Sequence, residues 1–173
     1  WRYQYEAYSA GEEYIPYQLP EYPEVRDCRP VIVVGAGPAG LFAALTLARA
    51  GAAPVLIERG ECVENRAKTV SAFWQGGVLN TSSNVQFGEG GAGTFSDGKL
   101  TTRINDPRCD FIIEELQKHG APEEILSKAK PHIGTDMLRE VVKNIREEII
   151  SLGGEVLFRC RLTGIIVANG FIH

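Results

Sequence analysis

The chain has 173 residues, 44% of them hydrophobic, and 18 Lys and Arg against 22 Asp and Glu give a net charge of −4. That composition is enough for one core and argues against nucleic acid or an anionic membrane surface as partner. No apolar stretch reaches the length of a membrane span, and Cys28, Cys62, Cys109 and Cys160 show neither a C-x-x-C nor a metal-ligand spacing, so no metal and a reducing, cytoplasmic setting are expected. The first residue is Trp1 rather than Met, so the native start is expected to lie upstream, and organelle targeting stays open.

All six tyrosines fall within the first 22 residues, and four prolines lie between Pro16 and Pro30. Residues 1–29 therefore read as an extended arm or the end of a preceding domain, distinct from the domain expected over 30–173.

Val31 to Val34 is a β-branched run of the kind buried on both faces of a parallel sheet. Gly35, Gly37 and Gly40 follow in a G-x-G-x-x-G register. The first glycine permits a sharp turn, the second lets backbone approach a pyrophosphate, and the third lets helix and strand pack closely. Pro38 suits a first helical turn, whose N–H groups and positive dipole end face phosphates. From Pro38 to about Ala50 a helix places Leu41, Ala44, Leu45 and Ala48 on one face, and Gly51 stops it. Val55, Leu56 and Ile57 return as a strand ending at Glu58, an acid placed to accept hydrogen bonds from ribose hydroxyls and to repel a 2′-phosphate, although Arg59 follows it directly. The whole register predicts a dinucleotide site.

Residues 61–75 form a second helical pattern, with Val63, Ala67, Val70 and Trp74 at spacings of three and four, Glu61, Glu64, Arg66 and Lys68 between them, and Gly76-Gly77 at its end. A loop carrying Gly88, Gly90, Gly91, Gly93 and Gly98 follows. Phe111, Ile112, Glu115, Leu116 and His119 support a third helix, closed by Gly120. Thr135 is the expected N-cap of a fourth, with Leu138, Val141, Val142, Ile145 and Ile149 as its apolar stripe. Glu155 to Phe158 and Leu162 to Ala168 read as strands, and Asn169-Gly170 before Phe171-Ile172 is a two-residue hairpin signal that opens a hairpin or meander. That last strand stops short at His173, so further sequence is expected beyond it. The predicted class is α/β, a Rossmann-like βαβ domain on a parallel sheet.

The nucleotide motif, then NRAKTVSAFWQGGVLNTSSNVQFGEGGAGTFSDGKLTTR, then PHIGTDMLREVV, resembles the FAD-dependent dehydrogenases, also called FAD/NAD(P)-binding oxidoreductases, of the glutathione-reductase-like flavoprotein class. The resemblance covers about residues 29–173, and FGEGGAGTFSDGKL is its most specific stretch. It implies FAD as cofactor, held by Gly35, Ala36, Gly37, Pro38, Ala39 and Gly40 at the ADP half and by Glu58 at the ribose. By the same likeness Arg59 and Leu162 lie by the adenine, Arg66 is a candidate for the pyrophosphate, and Gly91, Ser96, Asp97, Gly98 and Lys99 approach the flavin ring. Glycines let backbone come close to a flat ring, and a cation there can stabilise anionic reduced flavin. Lys99 and His132 are the candidates for a catalytic role, the bland reading being a solvent lysine and a loop histidine.

The redox cysteine pair of the disulfide reductases is absent, because Cys62 has no cysteine nearby. The leading expectation is the FAD-binding portion of a flavin-dependent oxidoreductase acting on an unidentified small molecule, with NAD(P)H as a possible co-substrate. An NAD-dependent dehydrogenase and a non-catalytic flavin-binding module remain as alternatives.

Overall fold

The computed structural model describes residues 9–12, 24–25, 30–96, 100, 104, 106, 108–127 and 132–172. Three aliphatic runs become short strands, β1 (Ile32–Val34), β2 (Val55–Ile57) and β3 (Glu155–Leu157). They lie parallel in the order β1-β2-β3, with Ile32 opposite Val55 and Val55 opposite Glu155. Parallel neighbours cannot be joined by tight turns. Helix α1 (Pro38–Arg49) connects β1 to β2, and α2 (Val63–Trp74), α3 (Arg108–Lys118) and α4 (Thr135–Ser151) lie between β2 and β3.

The core forms where the apolar faces of these helices meet the sheet. Helix α1 buries Leu41, Ala44, Leu45 and Ala48 as its spacing predicts. Helix α4 buries Leu138, Val141, Val142, Ile145 and Ile149, and the two sets join Leu56 and Leu116 in one cluster. Burying whole aliphatic side chains contributes about 1.5–3 kcal/mol each before chain entropy is set against it. Polar links reinforce the packing. Glu115 of α3 is buried beside Arg49 of α1 and Lys118, each at 2.8 Å, and His119 Nε2 lies 2.8 Å from Glu148 Oε2 of α4.

Several local expectations need correction. β1 is not buried on both faces: Val33 packs on the core, but Ile32 and Val34 are 60% and 56% exposed. The strand is at the edge of the sheet, and its other face has no helix over it among the described residues. Gly134, not Thr135, occupies the N-cap of α4, without a side-chain cap bond. Of the strand expected over 162–168 only Val167–Ala168 (β4) is regular, paired antiparallel with Phe171–Ile172 (β5). Asn169 and Gly170 both take positive φ, 53° and 79°, the requirement of the tight hairpin turn that their sequence signals. Two 3-10 turns, Ala92–Phe95 and Glu123–Leu126, were not anticipated.

The six tyrosines of the N-terminal stretch lie outside the described residues. Val25 is described, and its N–H donates to Ala50 O at 2.8 Å, pinning the chain before β1 to the end of α1. No helix among the described residues is long and apolar enough to cross a membrane.

Candidate functional site

The turn after β1 sets the geometry of the site. Gly35 takes φ 94° and its N–H donates to Ile57 O at 2.7 Å, so the chain reverses immediately beyond the strand. Helix α1 then starts at Pro38 with Gly37 as N-cap, without a side-chain cap and without an acid in its first turn. Such an end keeps N–H groups and a positive dipole for an anion. The glycines differ in what surrounds them. A Cβ on Gly40 would lie 1.8 Å from Gly35 O, whereas a Cβ on Gly37 would meet nothing within 4 Å. Gly40 is closed by protein, and Gly37 is open to the space in front of the helix.

That space is a cleft of about 600 Å³ at the carboxyl ends of the three parallel strands, where ligands bind in open α/β sheets. Gly35 and Gly37 line it beside β1, Glu58 and Arg59 after β2, and Cys160 to Leu162 after β3. The last group is delivered by a continued ladder: Glu58 N–H donates to Leu157 O and Cys160 N–H to Glu58 O, at 2.8 and 2.9 Å. Glu58 is 6% exposed. Its Oε2 accepts from Ala36 N–H at 2.8 Å and its Oε1 from Gly60 N–H at 2.7 Å. Each oxygen keeps a lone pair for a ribose hydroxyl, and the two amides fix the carboxylate against the glycine turn.

The glycine loop forms the facing wall. Gly90 N–H donates to Ala36 O at 2.8 Å, and a Cβ on Gly91 would come within 3.0 Å of Pro38 Cδ and 3.6 Å of Gly37 Cα. Phe87, Gly88 and Gly91 line the cleft opposite the strand ends. Two segments some 50 residues apart in sequence thus meet on one cavity, the GAGPAG turn and the FGEGG loop.

Of the residues expected at the cofactor, Gly35, Gly37, Glu58, Arg59, Gly91 and Leu162 line the cleft. Ala36 is buried beneath it, and Pro38, Ala39 and Gly40 form the first turn of α1. Arg66 is elsewhere. It is fully buried, and its guanidinium donates to the carbonyls of Asn84, Val85, Gly88 and Glu89 at 2.6 to 3.3 Å, so its donors organise the loop and do not point into the cleft. Ser96 is exposed and bonds Gly93 O within its own turn. His132 is exposed and does not line the cleft. Asp97, Gly98 and Lys99 lie outside the described residues.

Sequence reasoning missed Glu89 and Phe87, and misplaced Arg66. A signal existed for Arg66, which falls three residues after Val63 and four before Val70, on the buried stripe of α2. Glu89 carries no such signal. It is fully buried, with Oε2 accepting from Val63 N–H at 2.7 Å and from Arg146 at 2.9 Å, while Oε1 has no partner among the described residues.

Burial pushes the Glu89 carboxyl up from its ordinary 4.5 to about 7, despite the Val63 amide and the Arg146 charge. The folded protein therefore holds a proton that the unfolded chain releases. This contribution to stability is complete below about 4.5 and is lost as pH rises through about 7. Glu64, which shares Arg146 at 2.6 Å and is held at about 2 by it, acts in the opposite sense and only in acid below 4.5. Unfolding free energy measured with urea is expected to fall between about pH 5 and 7 by up to roughly 1.4 kcal/mol per pH unit. Glu89→Gln should flatten that segment, and an unchanged slope in this variant would assign the fall to other groups.

Residues 29–83 match the family described as FAD binding domain, the stretch that carries β1, α1, β2, Glu58 and α2. A protein of Clostridium beijerinckii described as "Uncharacterized protein" is 63% identical over 142 residues, which are 82% of this chain and 26% of that protein. The chain spans about a quarter of the length of this relative. An uncapped helix start, an open Gly37 and a ribose-competent Glu58 on one cleft fit the group that the family match brings, and the cofactor of this Rossmann-like site is FAD.

Proposed function

We propose that this chain is the FAD-binding portion of a flavin-dependent oxidoreductase of the glutathione-reductase-like dehydrogenase kind. The observation that carries the reading is the meeting of the FGEGG loop with the open Gly37 on one cleft, because a bare dinucleotide turn needs no second glycine wall. Bound FAD supplies hydride transfer through N5, with NAD(P)H as the candidate reductant and the substrate unassigned. The chain's own residues bind and orient. The N–H groups of Gly37 and Ala39, on either side of Pro38, receive the pyrophosphate, Glu58 accepts from ribose hydroxyls, and Arg59 and Leu162 flank the adenine. The glycine loop is the candidate wall for the flavin, and Lys99 is the candidate cation for it. Residues 30–173 are read as the FAD domain and 1–29 as an arm before it, in a cytoplasmic protein.

The test is Gly37→Val. Its side chain enters open space, so the melting temperature should stay within about 2 °C of wild type, while affinity for FAD falls at least about tenfold because the pyrophosphate position is filled. Absorbance of the purified protein, and chromatography of what heat releases, identify the flavin. A variant that binds FAD as tightly as wild type would remove the pyrophosphate from Gly37. Flavin that no nicotinamide or electron acceptor reduces or reoxidises would favour a binding module over an enzyme.

A further inference from the structure

Arg59 follows Glu58 in the cleft wall, and its guanidinium carbon sits 3.6 Å from the centroid of the Phe87 ring. Phe87 comes from the opposite wall, and its ring is 40% exposed while lying against the Arg59 guanidinium. Its backbone is held closely. Asn84 N–H donates to Phe87 O at 3.0 Å, and Asn84 Oδ1 accepts from the N–H groups of Gln86 and Phe87 at 2.9 and 3.2 Å. From beneath, Arg66 donates to Asn84 O at 2.8 Å and to Val85 O at 3.0 Å. A closed turn anchored to α2 thus presents one aromatic ring to one cation at the mouth of the cleft.

We propose that Phe87 is a positioning residue for Arg59 at the purine end of the cleft. This rests on the FAD reading above. With phosphates at Gly37 and ribose on Glu58, the base attached to the other side of the ribose must lie beyond Glu58, where Arg59, Arg161 and Leu162 line the cavity. An arginine side chain left free in water samples many rotamers, and ordering it on binding costs part of what the contact gains. Phe87 takes up one side of the guanidinium in advance and leaves the rest of that flat cation for a second planar group. The loop therefore serves the adenine as well as approaching the flavin.

The test is FAD and ADP titration into the apoprotein for wild type, Phe87→Leu, Phe87→Tyr, Arg59→Met and the Phe87→Leu/Arg59→Met pair, with melting temperatures alongside. Phe87→Leu is expected to weaken FAD and ADP alike by about three- to tenfold, Phe87→Tyr to restore wild-type affinity, and Phe87→Leu to add no loss once Arg59 is Met. Unchanged affinity in Phe87→Leu, or an equal loss in the Arg59→Met background, overturns the role while leaving the FAD reading intact. Wild-type protein that takes up neither FAD nor ADP overturns the FAD reading and this role with it.

Discussion

Gly40→Ala is expected to lower the unfolding free energy by about 3 kcal/mol and to abolish FAD binding at micromolar concentrations. The added methyl would lie 1.8 Å from Gly35 O, 3.0 Å from Gly35 C and 3.6 Å from Val33 Cγ1. The two closest atoms are backbone, so no side-chain rotamer can relieve the overlap. Either the first turn of α1 lifts off β1 or Gly35 leaves the conformation that lets its N–H reach Ile57 O. Both routes spread the floor of the cleft, and the first also loosens Leu41 and Ala44, which lie one residue and one turn beyond Gly40 and belong to the core. Urea unfolding followed by circular dichroism gives the first number, and flavin retained through gel filtration gives the second. Gly37→Ala is the matched control, because a methyl there meets nothing and stability should hold. A Gly40→Ala protein within about 1 kcal/mol of wild type would mean that the helix start tolerates displacement and that close packing at this glycine is not what shapes the site.

The βαβ unit was legible because each of its residues answers to a local rule: a β-branched run, glycines at fixed spacing, an apolar stripe of period 3.6, a returning strand and an acid at its end. The same is true of α4 and of the Asn169-Gly170 turn, where side-chain period and positive φ are written in adjacent residues. Legibility failed where a residue's surroundings come from distant sequence. Glu89 is buried because α2 brings the Val63 amide to it and α4 brings Arg146, 57 residues away. Nothing near Glu89 in sequence records either partner. Exposure on β1 could not be read from Val31 to Val34 either, since the apolar pattern of a strand does not say whether both faces of its sheet are covered. The strand expected from Leu162 fails for a related reason: β propensity is realised only against a partner, and here residues 160–162 line the cleft instead.

Arg66 is where this dependence on distant sequence has the largest expected consequence. It is fully buried, and four backbone carbonyls from the turn and the glycine loop point at its guanidinium, with the Phe95 ring centroid 4.6 Å away. Burial pulls its pKa down to about 10, with the charges of Glu58 and Glu89 opposing, so the side chain is still a cation at neutral pH. Its work is chiefly to satisfy the buried carbonyls of Asn84 and Glu89, each costing about 1–3 kcal/mol if left without a donor, while Gly88 O also accepts from Gly91 N–H at 3.0 Å. Arg66→Met keeps much of the volume and removes every donor. The expected result is a loss of about 3–5 kcal/mol in stability, or, if the loop opens to hydrate its carbonyls, a smaller loss with fast amide exchange across Asn84 to Gly91. FAD retention falls in either case, because Phe87, Gly88 and Gly91 supply one wall of the cleft. Arg66→Lys should fail nearly as badly, since a single ammonium cannot span carbonyls contributed by residues 84 through 89. Hydrogen exchange and flavin content measured on the same preparations decide the matter. Exchange and flavin content equal to wild type in Arg66→Met would show that the loop holds itself against the GAGPAG turn through Gly90 alone.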